Sequence, residues 1–498
     1  MAVTGNKISR KQAAADAVAH ADHISFFASP LRVYPKAVKG VVRQFKWAIL
    51  VFCLVVYYTL PMLRWHRDHG RPDQAVLLDL AHERFYFFSI ELWPQEVYIL
   101  AGLVILGVVS LFLISSLIGR VWCGYSCPQT VWTDLFMLVE RMIEGDRNER
   151  IKRDRSPLTL DGAMRKTAKH LAWLGIAFMT GGAWITYFVD APVFIRQFWT
   201  GTASFEAYLF TFIFTGLTYL LAGWAREQVC TFMCPWPRFQ AAMFDEQTYT
   251  VTYETQRGEP RAKGKKDFKE EGAGDCIDCG QCVAVCPTGI DIRDGNQLEC
   301  IGCGLCIDAC NEVMAKVGRP AWLITWDTLV GQEAKKQGRT APVKFIRART
   351  LLYLMLLLIG ATFVATALVT RPHIGLDVQR DRAPFYVMLD HGVVLNGYTL
   401  SVVNKTQDDE TFDLSLGQFD GAVLNVLEMN MKPVPTVRLT VAPDTVGTFR
   451  VQVSSPPHSE IASQPLDFIL RDPKSGEESV VHSVFMGPLS VQGDGNGE

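Results

Sequence analysis

The chain has no nucleotide-binding fingerprint: neither G-x-G-x-x-G after a strand nor G-x-x-x-x-G-K-[ST] occurs in it. With no NAD or flavin motif of its own, a redox protein of this sequence must receive its electrons from another protein or from a quinol. Charge of either sign is not in excess, since 49 basic and 51 acidic side chains leave a net charge of −2, and no nucleic-acid partner is expected. No cysteine follows Cys310, so the last 188 residues carry no thiol chemistry. Residues 1–46 hold no apolar run followed by a small-residue cleavage site, and a cleaved signal peptide is not expected there. What is abundant is apolar surface: 498 residues that are 49% hydrophobic, with a mean hydropathy of +0.13, point to a membrane protein of more than one domain.

Thirteen cysteines are present, and eight of them lie between Cys276 and Cys310. Cys276, Cys279, Cys282 and Cys286 give C-x2-C-x2-C-x3-C, and the pattern recurs 24 residues later at Cys300, Cys303, Cys306 and Cys310. Such a loop presents three thiolates to one cubane while the fourth ligand comes from the other half. One 4Fe–4S cluster is therefore assigned to Cys276, Cys279, Cys282 and Cys310, and a second to Cys300, Cys303, Cys306 and Cys286. Pro287 follows the first half as the bacterial pattern expects, whereas Asn311 stands after the second. A zinc ribbon uses paired C-x2-C instead, and disulfides do not persist in a reducing compartment.

Five apolar stretches read as membrane spans: Trp47 to Leu63, Val97 to Ile118, His170 to Val189, Tyr208 to Ala225 and Thr350 to Thr370. The segments 1–46, 119–169 and 226–349 hold eight, ten and seventeen Lys/Arg, against four and one in 64–96 and 190–207. Short loops rich in positive charge stay inside, so the N-terminus and the ferredoxin stretch are expected in the cytoplasm and everything past Thr370 outside. The aromatic FYFFSIELWPQE belongs to an outer loop lying on the bilayer surface, and the runs EGDRNERIKRDR and KGKKDFKEE read as solvated faces. His170, at the inner end of the third span, reads as an interface residue rather than a ligand. From 371 onward, nine basic residues face seventeen acidic ones, and YTLSVVN, TFDLSL, TVRLTV and TFRVQV alternate at strand spacing. An immunoglobulin-type β-sandwich follows, in which Met429 and Met431 read as half-buried strand residues.

The fold class expected is thus a multi-pass α-helical membrane protein with five spans, a cytoplasmic bacterial-type two-cluster ferredoxin insert and a C-terminal all-β immunoglobulin-like domain. Its parts are a cytoplasmic segment 1–46, four spans within 47–245, the ferredoxin 246–345, the fifth span 346–370 and the sandwich 371–498.

A second constellation repeats at the inner ends of the second and fourth spans. After Arg120 comes W-C-G-Y-S-C-P, and after Arg226, E-Q-V-C-T-F-M-C-P. Both contain C-x3-C-P, with Cys123 and Cys127 matched by Cys230 and Cys234 at a common offset of 107. On a continuing helix, i and i+4 share a face, and the proline loosens the turn that follows. Four soft thiols beside two clusters admit three chemistries: copper binding with easier reduction of Cu(II), a further iron–sulfur cluster, or a dithiol cycling with a disulfide. The plain alternative is four packing cysteines, each pair ended by proline.

Long segments, among them WCGYSCPQTVWTDLF, REQVCTFMCPWPRFQAAMFDE, TVTYETQRGEPR and AVCPTGIDIRDGNQLECIGCGLCIDAC, closely resemble the CcoG (FixG, RdxA) family of cytochrome c oxidase accessory proteins, from about residue 30 onward. The resemblance implies a bacterial inner-membrane protein with a periplasmic C-terminal domain. It implies an oxidoreductase that reduces Cu(II), its substrate, to Cu(I) for assembly of a cbb3-type oxidase, working with copper-delivery and oxidase-assembly partners. By position, Cys123, Cys127, Cys230 and Cys234 are then the thiols of copper reduction. A quinol-linked electron conduit and a non-redox assembly scaffold are the competing readings.

Overall fold

The computed structural model describes residues 33–488 except 68–70, 158, 262–271, 373, 390–391, 407, 430–431, 444 and 457–462. The described chain forms two compact units, one from 33–65 with 74–361 and one from 66–73 with 362–488.

In the first unit, α1 (Val41–Thr59) is followed by a three-stranded antiparallel sheet, β1 (Val76–Asp79), β2 (Arg84–Phe87) and β3 (Ile90–Leu92). The aromatic stretch read as an irregular interfacial loop is therefore strand-paired, Phe85 opposite Leu92 and Phe87 opposite Ile90. Alternation of large side chains suits a pleated ribbon as well as it suits a membrane surface. Helices α2 (Val97–Ile118), α3 (Val121–Tyr125), α4 (Pro128–Glu144), α5 (Arg147–Arg155), α6 (Leu160–Ile185), α7 (Ala191–Thr200) and α8 (Phe205–Thr218) come next. α9 (Trp236–Ala242) and β4 (Thr250–Tyr253) lead into the cysteine-rich stretch with α10 (Gln281–Val285) and α11 (Leu305–Val317). β5 (Ile324–Asp327), antiparallel to β4, closes that stretch before α12 (Leu329–Lys336) and α13 (Ala348–Val369).

Among the described residues four segments are long and apolar enough to cross a membrane: Val41–Met62, Pro94–Ile118, Phe205–Ala225 and Ala348–Val369. Their outward side chains, such as Val104, Ile105, Leu358 and Ile359, are bare apolar surface that a bilayer would solvate. The remaining expected span lies on α6, which ends at Ile185 and falls short in apolarity because Lys169, His170, Thr180 and the glycines at 175, 181 and 182 interrupt it.

Gly181 brings α6 against α8. A Cβ added at Gly181 would lie 2.7 Å from both the Thr211 carbonyl and the Thr215 hydroxyl, whereas one at Gly175 meets nothing within 4 Å. Gly181→Ala is expected to cost about 1–3 kcal/mol through overpacking. Gly175→Ala should be neutral or stabilise by up to about 1 kcal/mol by removing a helix-interior glycine. Thermal unfolding of the two detergent-solubilised variants checks the contrast.

The charge run of α5 is not wholly solvated. Arg150 is 1% exposed and holds Glu140 at 2.8 Å, while Arg226 and Lys169 reach the same carboxylate at 3.0 and 3.7 Å. A carboxylate at 0% exposure needs such partners, since an unpaired buried charge is strongly destabilising.

The second unit is a two-sheet β-sandwich. One sheet runs β10 (Val423–Val426), β12 (Thr445–Ser454), β8 (Val394–Asn404) and β6 (Ile374–Arg380), with the short β7 (Val387–Met388) also on β8. The other runs β11 (Thr436–Val441), β9 (Glu410–Gly417), β13 (Ser463–Arg471) and β14 (Glu478–Met486). Alternate residues of β8, β9 and β11 bury Tyr398, Leu400, Val402, Phe412, Leu414, Val437 and Leu439 in one core. Met429 ends a short 3-10 turn and packs against that core, and Met431 lies outside the described residues.

Candidate functional site

The duplicated cysteine stretch repeats its backbone as well as its sequence. Asp278 and Gly302, 24 residues apart, have φ of 53° and 67°, and Gly280 and Gly304 have φ of 63° and 69°. Two left-handed residues per loop fold three cysteines inward, and glycine takes three of the four positions because a Cβ is disfavoured there. Gly280 and Gly304 then start α10 and α11; α10 carries Cys282 and ends at the extended Cys286, whereas α11 carries both Cys306 and Cys310.

The thiols gather in two sets. Burial pushes Cys310 up to about 12, helped by the neighbouring thiols of Cys282, Cys276 and Cys279. Burial likewise pushes Cys300 up to about 12, with Cys303 and Cys286 adding to it, and Cys306 is raised by burial and then by Cys303, Cys300 and Cys286. Cys310 thus lies among thiols of the first repeat, and Cys286 among thiols of the second. The groups adjoin, because Cys282 also acts on Cys306. Among the described residues no three His, Cys, Asp or Glu side chains converge as around a single ion. Cys279 in the first loop is exposed, whereas Cys303 in the second is buried and its carbonyl is bonded by Tyr125, so the second loop is the inner one, facing the C-x3-C-P motif.

The C-x3-C-P motifs depart from the continuous helix expected of them. α2 stops at Gly119, whose φ is 62° and ψ −133°, and Arg226, 107 residues on, repeats that break with φ 43° and ψ −116°. Cys123 then lies on the short α3, while Cys127 is extended and caps α4 with Pro128 in its first turn. In the second motif Cys230 lies in a π-helical turn, Val229–Met233, Cys234 is extended and Pro235 leads into α9. The proline thus begins a new helix, where its missing N–H is not needed. Arg226 pays for its left-handed backbone with bonds at 2.7 Å to the Gly223 carbonyl and 3.0 Å to Glu140.

These turns bring the four remaining thiols of the paired motifs together. Burial pushes Cys123 up to about 12, with Cys127, Cys230 and Cys234 adding to the rise and Arg120 opposing it. Cys230 is pushed to about 11 by burial, then by Cys127, Cys234 and the Glu227 carboxylate. Gln129 Nε2 donates to the carbonyls of Leu221 (2.8 Å) and Arg226 (3.1 Å), tying the first motif to the second. Gln240 accepts from the Cys123 thiol at 3.1 Å and donates to Ser115 Oγ at 3.2 Å. A cavity of about 230 Å³ lined by Cys230, Met233, Cys234 and Glu299 opens onto the second pair.

The two constellations touch. Tyr125 donates its hydroxyl to the Cys303 carbonyl at 3.1 Å. A Cβ on Gly124 would lie 2.8 Å from the Ile301 carbonyl and 3.0 Å from Cys303 Cα. Arg120, bonded to the carbonyls of Leu298, Cys300 and Pro237, faces the thiols of Cys123, Cys300 and Cys230 together. Asp308 on α11 accepts from the backbone N–H groups of Val42 (3.3 Å) and Arg43 (2.7 Å), capping α1 from the ferredoxin side. None of Arg120, Gly124, Tyr125, Gln240 and Asp308 was marked by spacing; only Arg120 had a signal, its place before the first motif. His170 bonds Tyr219 through Nδ1 at 2.9 Å and stacks near Trp224, apart from both thiol groups. Gly124→Ala should overpack this seam by about 1–3 kcal/mol. It is read as earlier loss of iron–sulfur absorbance on heating, with iron per chain unchanged beforehand.

Comparison with known proteins follows the same division. A 4Fe–4S binding domain matches residues 100–143, a 4Fe–4S dicluster domain matches 225–329, and the immunoglobulin-like fold at the C-terminus of FixG matches 364–488. The nitrogen fixation protein FixG of Rhizobium meliloti (strain 1021) is 42% identical over 483 residues, covering 91% of this chain and 92% of that protein. Proteins RdxA and RdxB of Cereibacter sphaeroides are 42% and 43% identical, covering 92% and 93% of this chain and 98% of each relative. A crystal structure of a FixG-related protein from Vibrio parahaemolyticus aligns with 24% of this chain and 99% of its own, at 26% identity and a TM-score of 0.20.

Proposed function

Since this chain belongs to the FixG/RdxA (CcoG) family of membrane iron–sulfur redox proteins, we propose that it reduces Cu(II) to Cu(I) at the thiols of Cys123, Cys127, Cys230 and Cys234. The observation that carries the reading is the seam at Gly124 and Tyr125, where the inner ferredoxin loop lies against these four thiols. When bound, 4Fe–4S clusters supply one-electron chemistry, which is what Cu(II) reduction needs. Cys276, Cys279, Cys282 and Cys310 would hold one, and Cys286, Cys300, Cys303 and Cys306 the other. The incoming ion enters through the cavity beside Met233 and Glu299, and soft sulfur then favours the Cu(I) state that leaves. Arg120 keeps positive charge between the two thiol groups, and Gln240 orients the Cys123 thiol.

In this reading five helices span a bacterial inner membrane, α6 supplying the fifth, with the ferredoxin in the cytoplasm and the sandwich in the periplasm. The Cu(I) formed goes to assembly of a cbb3-type oxidase through copper-delivery partners. The test is anaerobic: reduce the purified protein with dithionite, remove the excess, add Cu(II) and follow a Cu(I)-specific chelator. Stoichiometric Cu(I) formation with reoxidation of the iron–sulfur absorbance is expected; reoxidation by air but not by Cu(II) would remove the reading.

A second reading rests on the 4Fe–4S binding domain that matches 100–143 and so includes Cys123 and Cys127. In it the four thiols hold a third cluster, and iron per chain rises from about eight to about twelve.

A further inference from the structure

The electron donor has no nucleotide motif to use, yet a cavity lies beside the inner cysteine loop. Its volume is about 240 Å³, and Cys300 itself forms part of its wall. That is below the usual range for drug-sized or dinucleotide ligands, roughly 300–1,000 Å³, and suits a single ring. The rest of the wall is chiefly apolar, with the rings of Phe244 and Trp326 and the side chains of Ile118 and Leu298. Ile118 is the last residue of a candidate membrane span, and both it and Leu298 are exposed, so the mouth lies where that helix ends. Polar groups are few and neutral: Thr250, Asn296 and Gln297 offer a hydroxyl and two amides. The one cation lining the cavity, Arg120, is already bonded to three carbonyls, which leaves it poorly placed to hold a phosphate.

A neutral ring with two hydrogen-bonding oxygens and an apolar tail, arriving from the bilayer, meets all of these conditions. We propose that this cavity binds the head group of a membrane quinol, whose hydroxyls donate to the Asn296 and Gln297 amide oxygens, the amide nitrogens being bonded to Thr250 and the Asp291 carbonyl, and whose tail leaves past Ile118 and Leu298. Oxidation of the bound quinol to quinone breaks two O–H bonds and releases two protons to water through the open side. The two electrons would be accepted one at a time by the 4Fe–4S cluster that Cys300 would help to hold. This inference rests on the reading of Cys300 as a cluster ligand.

The experiment uses the full-length protein in liposomes with an azido-quinone. Photolabelling is expected within 296–302 or at Trp326 and is displaced by excess unlabelled quinone. Ala241→Trp, which fills the cavity from α9, should lower both labelling and the rate of iron–sulfur bleaching by a quinol at least about tenfold. Asn296→Ala, a milder change, should weaken quinone binding about fivefold, the loss of one hydrogen bond. Bleaching by dithionite should be the same in all three proteins. Labelling that is undisplaced, or that falls on the separate cavity near Trp132 and Trp184, overturns the site, as does unchanged quinol bleaching in Ala241→Trp. Protein that dithionite cannot bleach overturns instead the cluster reading on which the inference stands, and the displaced label then reports binding alone.

Discussion

Cys310→Ala is expected to abolish the same low-temperature EPR signal as Cys276→Ala, and Cys286→Ala the same signal as Cys300→Ala. The thiol of Cys310 sits among those of Cys276, Cys279 and Cys282, while Cys286 acts on Cys300 and Cys306, so each loop is completed from the other repeat. Iron per chain should fall from about eight to about four in every one of these variants. A cubane needs all four thiolates, and Cys306, the further thiol on which Cys282 also acts, is already committed to the second group. Two groups defined by sequence halves, with Cys276 and Cys286 sharing a signal, would refute the exchanged pairing.

The second large effect is expected at the paired motifs. Cys123→Ala and Cys230→Ala should each slow dithionite-driven Cu(I) formation by about 10–100-fold, the range usual when a metal-contacting set is broken. Iron per chain should stay at about eight, since neither thiol belongs to the two cluster groups. A fall from about twelve to about eight in both variants would favour the third-cluster reading. Unchanged copper reduction and unchanged iron together would reduce the four thiols to packing. The chelator assay and an iron count on the same samples separate these outcomes.

Cysteine spacing was legible because it is local: a 24-residue repeat dictates which thiols a loop can present before any tertiary contact is known. The strands of the sandwich were legible for a similar reason, as TFDLSL and TVRLTV became β9 and β11 with alternate residues buried. What escaped was set by neighbours far along the chain. Nothing around Arg226 announces a left-handed backbone, which depends on Glu140 and Trp173 to hold the side chain. Arg150 looked like part of a solvated run because its partner Glu140 lies on another helix. Gly124 reads as any small residue until the Ile301 carbonyl is brought against it. The ribbon at 76–92 was hidden by its aromatic content, which serves strand and interface alike.

The cap that Asp308 places on α1 has a bearing on biogenesis. α1 waits for a carboxylate made more than two hundred residues afterwards, and until then water must satisfy its leading amides. Completion of that helix is therefore tied to maturation of the cysteine-rich insert. Chains whose cysteine-rich insert has not folded are expected to carry an α1 frayed at its start, which limited proteolysis of iron-free protein would detect as earlier cleavage near residue 41.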